Sequence, residues 1–120
     1  MDTNNPIVQL CMQGTRAEFE HCTDDARALY QQAWESHTND YEACIAAHYV
    51  ARFQDNPKET LRWNQIALQR ANVANHELVK EFYPSLYLNL GHSYEVVGNQ
   101  MEAQKYYDLA AELGAIHQPD

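Results

Sequence analysis

An all-α fold is predicted for this 120-residue sequence, an α-α superhelix of three antiparallel helical hairpins with about six helices. One observation is a pattern repeated three times: an acid, a small residue, then an alanine seven positions further on. It reads Asp25-Ala26 to Ala33, Glu59-Thr60 to Ala67 and Glu102-Ala103 to Ala110. A second is the spacing, 34 residues from Ala33 to Ala67 and 43 from Ala67 to Ala110, a period that signals stacked helical hairpins when helix formers carry it. The third is composition. Apolar residues make up 45% with only 4 Gly and 4 Pro, enough apolar area to offset chain entropy in an ordered helical globule.

Length and charge set further bounds. At 120 residues and 13.9 kDa the chain is one domain, too short for most two-domain cofactor enzymes. Eight Lys+Arg against 17 Asp+Glu give a net charge of -9. Such a field repels phosphate backbones and anionic lipid, so neither nucleic acid nor a membrane surface is expected as a partner. Met1 to Pro6 has no basic start or apolar run, and no uncharged stretch approaches the roughly 18 residues of a membrane helix; the expected location is cytoplasmic. Cys11, Cys22 and Cys44 are odd in number and lack C-x-x-C spacing, which fits reduced, packed thiols.

The elements follow in order. Residues 1–6 are a lead whose Asn5-Pro6 reads as a cap with proline in the first turn, and Asn56-Pro57 repeats it. Thr23, followed by Asp24 and Asp25, is the expected cap of the second helix, with acids at its positive end. Gly98-Asn99 is the turn between the last two helices. The nine extra residues before the third unit fall within residues 72–83. They read either as extensions of the flanking helices, with a turn near Asn75 and a bend at Pro84, or as one helix from Pro57 to about Glu81.

Upstream of the third pattern stand Tyr87-x-x-Leu90-Gly91-x-x-Tyr94, then Gly98, Ala103, Tyr107 and Ala110. This closely resembles the tetratricopeptide repeat. Gly91 and Ala103 let two antiparallel helices approach while Tyr87, Tyr94 and Tyr107 fill the gaps. Ala115 replaces the family's usual Pro, leaving the last helix free to fray or continue beyond Leu113. The resemblance extends over a single domain, residues 7–114, in units of 7–40, 41–83 and 84–114, with a tail at 115–120. In the first unit Leu10, Gly14, Ala17, Ala26, Tyr30 and Ala33 match and Gln13 departs. In the second, His48 stands where Gly91 stands in the third, with Thr60, Asn64 and Ala67 following.

The resemblance implies a concave groove lined from the first helix of each unit: Val8, Cys11, Thr15 and Glu18; Glu42, Ile45, Tyr49 and Arg52; Ser85, Leu88, His92 and Glu95. The expected function is non-catalytic recognition of a peptide or helix of a partner protein, through Tyr49, Arg52, Leu88, Asn89, His92 and Glu95 above all. Tyr and Arg are the types that dominate binding hot spots, and the charge favours a basic or amphipathic partner. The same positions equally suit a merely solvated helix face. Members that clamp a chaperone's terminal carboxylate use Lys, Arg and Asn where this chain has Cys11, Thr15, Ala46, Ser85 and Asn89, so that mode is not expected.

Two alternatives stand beside this reading. Tyr106, Leu109, Leu113 and Ile116 form an apolar end that a second copy could cover, making a homodimer. Cys44 with His48, four apart on one helix face, and His92 with Glu95 or His76 with Glu77 sketch a metal or acid–base site, but no matching second ligand pair accompanies them. The chain also lacks G-x-S-x-G, H-E-x-x-H and a glycine-rich phosphate loop. No enzyme activity, cofactor or metal is expected.

Overall fold

Asparagine starts four of the helices. Asn5 Oδ1 accepts from the amides of Ile7 and Val8 at 2.8 and 3.2 Å, Asn39 from Glu42 at 2.8 Å, Asn56 from Glu59 at 2.9 Å and Asn99 from Glu102 at 3.2 Å. Each bond satisfies an amide that the first turn would leave bare, and such a cap is worth about 1 kcal/mol. A computed structural model describes residues 2–74 and 77–115 of the chain. Among them are six α-helices: α1 (Pro6–Phe19), α2 (Thr23–Ser36), α3 (Asp40–Val50), α4 (Pro57–Ala74), α5 (Tyr83–Val96) and α6 (Gln100–Glu112). Both helix sets repeat at the predicted intervals: α1, α3 and α5 start 34 and 43 residues apart, and so do α2, α4 and α6.

Several local expectations are corrected. Thr23 is the first residue of α2 rather than its cap; Cys22 takes the cap position without a side-chain bond, so only Asp24 and Asp25 favour that end. The chain reaches it through His21 at φ +62°, a left-handed conformation that glycine usually supplies. The nine-residue insert lengthens α4, which has 18 residues against 14 in α2, but does not lengthen α5 or merge the two into one α-helix. α4 stops at Ala74, Asn75 lies outside the described residues, and Glu77–Phe82 forms a 3₁₀ turn. Pro84 stands within the first turn of α5 and so begins that helix rather than bending it. At the other end α6 closes at Gly114, φ +90°, where the Ala115 amide bonds back to the Ala110 carbonyl at 3.0 Å. That ends the helix without proline.

The helices pair as α1 with α2, α3 with α4 and α5 with α6. The first and third pairings rest on a glycine facing a tyrosine ring. A β-carbon on Gly91 would meet the Tyr107 ring at 2.6 Å, and one on Gly14 would meet the Tyr30 ring. In the middle hairpin the corresponding positions hold His48 and, sixteen residues later, Asn64, which donates to Ser93 Oγ of α5 at 2.8 Å. Stacking between hairpins is unequal. α3 packs against both α1 and α2, whereas α5 packs mainly on α4. The core runs through Val8, Cys11, Tyr30, Cys44 and Val79, all nearly or fully enclosed. Burying each large apolar side chain contributes about 1.5–3 kcal/mol.

Candidate functional site

The first-helix positions of the first two units meet in one cluster. Arg52, in the short 3₁₀ turn Ala51–Phe53 after α3, donates from Nε and Nη2 to the two carboxylate oxygens of Glu18 at 3.0 and 2.8 Å. The Tyr30 hydroxyl donates to the same Glu18 carboxylate, and Thr15 Oγ1 lies 3.3 Å from that hydroxyl. Tyr49 stacks on Tyr30 with ring centroids 5.1 Å apart, and Phe53 covers the same ring at 5.9 Å. The bond from Arg52 holds the Glu18 carboxyl below its usual range, while burial and the Glu18 charge raise the Tyr30 hydroxyl. Glu18, Arg52, Tyr49 and Thr15 are thus brought together, but their polar groups are engaged with one another.

Cys11 is enclosed completely and Val8 with it, so neither lines an open groove. The α3 helix packs directly against both α1 and α2 and covers these positions. Glu42 is likewise buried, its carboxylate accepting from Asn5 Nδ2, from the Thr38 amide and from Thr38 Oγ1 at 2.8, 2.8 and 2.9 Å. Burial alone would raise its pKa, and those bonds more than reverse that, leaving it lowered.

Between α3 and α5 the packing opens into a cleft of about 180 Å³, lined by Cys44, Ile45, His48, Tyr49, Phe82, Ser85 and Leu86. Ile45 forms part of its floor at 3% exposure and Ser85 stands exposed at its edge. The walls are mainly apolar, with a few polar groups, the composition of small binding clefts generally. His48 bridges the helices: the Asn89 side-chain amide lies 3.2 Å from its Nδ1. Burial, with the nearby Arg52 charge, lowers the His48 pKa and so favours the neutral ring. The Cys44 thiol is pushed up to about 12 by burial, as is that of Cys11, which keeps both protonated and unreactive.

Sequence reasoning missed Phe82, Leu86, Cys44 and His48 as cleft residues. The signal was present in two departures from the repeat, the histidine at a small-residue position and the nine extra residues that end in Phe82.

The remaining positions lie on α5 and α6. Leu88 and Asn89 are half-buried and His92 is exposed beside Gln54, Asn56 and Pro57. Glu95 is half-buried near the Tyr107 hydroxyl, whose pKa is raised by burial and by that carboxylate. Tyr106 does not project as a free apolar end. It stacks on Tyr94 at 5.6 Å with the rings 4° from parallel and lies 6.0 Å from Tyr87. Leu109 is half-buried, Leu113 is 53% exposed, and Ile116 lies outside the described residues.

Cys44 and His48 share the cleft, but among the described residues no three His, Cys, Asp or Glu side chains group as a metal site would require. No described helix is long and apolar enough to cross a membrane. No protein-family model, curated protein or solved structure matches the chain.

Proposed function

We propose that the protein is a non-catalytic interaction module, a tetratricopeptide-like array that holds a peptide or helix of a partner protein along α3 and α5. The observation that carries this reading is the cleft between those helices. It is mainly apolar, edged by Ser85 and bridged by the neutral His48, and its volume of about 180 Å³ suits one leucine- or phenylalanine-sized side chain. The partner is basic or amphipathic, since a chain of charge -9 attracts cationic segments. The cytoplasm is the expected setting for two buried, protonated thiols.

Selection of short displayed peptides against the immobilised protein, followed by NMR mapping of an enriched peptide, tests the proposal. Shifts centred on Ile45, His48, Ser85 and Leu86, and lost in a Ser85→Trp variant that fills the cleft, are expected. Enrichment of no peptide, or shifts confined to α2 and α4, would contradict it.

A further inference from the structure

At His48 the middle hairpin departs from its neighbours. The corresponding residues of the first and third hairpins are Gly14 and Gly91, each lying against a tyrosine ring of its own hairpin, Tyr30 or Tyr107. In the middle hairpin Asn64 stands in place of that tyrosine and is engaged with Ser93 at 2.8 Å. Packing within the hairpin therefore calls for no ring where His48 stands. The histidine serves the gap between α3 and α5 instead: it lines the cleft and meets the Asn89 side chain of the facing helix.

The ring is held in place, but only one of its nitrogens is used. Asn89 lies 3.2 Å from Nδ1, and Tyr49 meets the ring edge-on, with centroids 5.1 Å apart and planes at 76°. Nε2 has no hydrogen-bond partner among the described residues and is not sealed off from solvent. Phe82, also of the cleft wall, is set by stacking on Tyr41 at 6.3 Å. His48, Tyr49 and Phe82 thus give the cleft three rings beside Ile45 and Leu86. Such walls favour an aromatic guest through edge-to-face and offset contacts, and rings fixed before binding cost little to order.

The guest must also answer Nε2. A phenylalanine or leucine side chain would strip that nitrogen of water and leave it unpaired, at a cost comparable to a lost hydrogen bond. A lysine or arginine would bring its charge among apolar walls, beside an Arg52 charge that already bears on His48. The indole of tryptophan only donates, whereas a tyrosine hydroxyl donates or accepts and so pairs with the neutral imidazole in either tautomer. We infer that the α3–α5 cleft takes a tyrosine side chain of the partner protein, its ring among His48, Tyr49 and Phe82 and its hydroxyl on Nε2 of His48. His48 is then the residue that sets specificity. The inference rests on the proposed recognition role and names the anchor that the cleft reads.

Two side-chain analogues serve as probes: p-cresol for tyrosine and toluene for phenylalanine. Each is titrated into the isotopically labelled protein and followed by NMR of the backbone amides and of the histidine ring nitrogens. Saturable binding of p-cresol about fivefold tighter than toluene, the return on one hydrogen bond, is expected. Shifts should appear at Ile45 and Leu86, and p-cresol alone should displace the Nε2 resonance of His48. His48→Phe, with an unchanged circular dichroism spectrum, should keep toluene binding and lose the preference, and Ser85→Trp should block both compounds. The Nε2 resonance of the wild-type protein decides the matter whether or not His48→Phe folds. Toluene bound as tightly as p-cresol, an Nε2 resonance indifferent to p-cresol, or no binding of either compound would overturn the inference. Displayed peptides that map to the cleft through leucine or phenylalanine would reject it alone and leave the recognition role standing; failure of peptides and compounds together would reject both.

Discussion

The ring of Tyr30 fills the space that a β-carbon on Gly14 would need, and Tyr107 does the same to Gly91 two hairpins later. Both glycines are helical residues whose value is the absent side chain, not a special backbone angle. Gly14→Ala and Gly91→Ala are each expected to destabilise the protein by about 1–3 kcal/mol through overpacking, read by urea denaturation. Pairing Gly14→Ala with Tyr30→Leu, which withdraws the ring, should recover part of that loss. Additive losses in the double variant would show that the contact is not the cause.

The Arg52–Glu18 pair is two-pronged, but the Arg52 side chain is 52% exposed and that of Glu18 21% exposed. Solvent screening therefore limits what it contributes. A double-mutant cycle with Arg52→Gln and Glu18→Gln is expected to give a coupling of about 0.5–1 kcal/mol at low salt, shrinking in 1 M salt. A coupling insensitive to salt would contradict the assignment.

How much of this was legible in the sequence follows from which contacts are local. Gly91, Ala103 and Tyr107 are fixed by packing within one hairpin, so a linear pattern exposes them, and the caps at Asn5 and Asn56 are equally local, whereas Asn99, read only as part of a turn, also caps α6. Asn39 was not recognised as a cap, although it follows Asn5 by the same 34 residues. The burial of Cys11 and the engagement of Arg52 depend on how one hairpin seats on the next, which no single-unit pattern encodes. The cleft was illegible for the same reason: it arises where a 3₁₀ turn replaces the expected helical extension.

His48 should make stability pH-dependent above the carboxylate range. Its folded pKa lies below the unfolded value of 6.5, so between the two the unfolded chain binds more protons and stability falls as pH drops below 6.5. The loss amounts to about 1.4 kcal/mol for each unit of lowering. Denaturation of wild type and His48→Gln between pH 7.5 and about 5 should show the difference narrowing as pH falls. Glu18 and Glu42, lowered from 4.5, act separately: their contribution is complete above that value and disappears at more acid pH.

Thiol chemistry distinguishes the three cysteines. Cys22 is exposed, whereas Cys11 and Cys44 are buried with pKa values pushed up to about 12. A small disulfide reagent at pH 8 should label Cys22 alone in the native protein and all three sites in denaturant. Rapid labelling of Cys44 in native protein would show the cleft floor to be open.

The central claim is that the cleft between α3 and α5 is where a partner protein is held. It is tested most directly by placing a photo-reactive phenylalanine at Ser85, on the cleft edge, and at Gln32, on the exposed side of α2, and irradiating each in cells. The account predicts a discrete protein adduct from position 85, mapped by mass spectrometry to a basic or amphipathic segment, and none of that adduct from position 32. Identical adducts from both positions, or none from position 85, would contradict it.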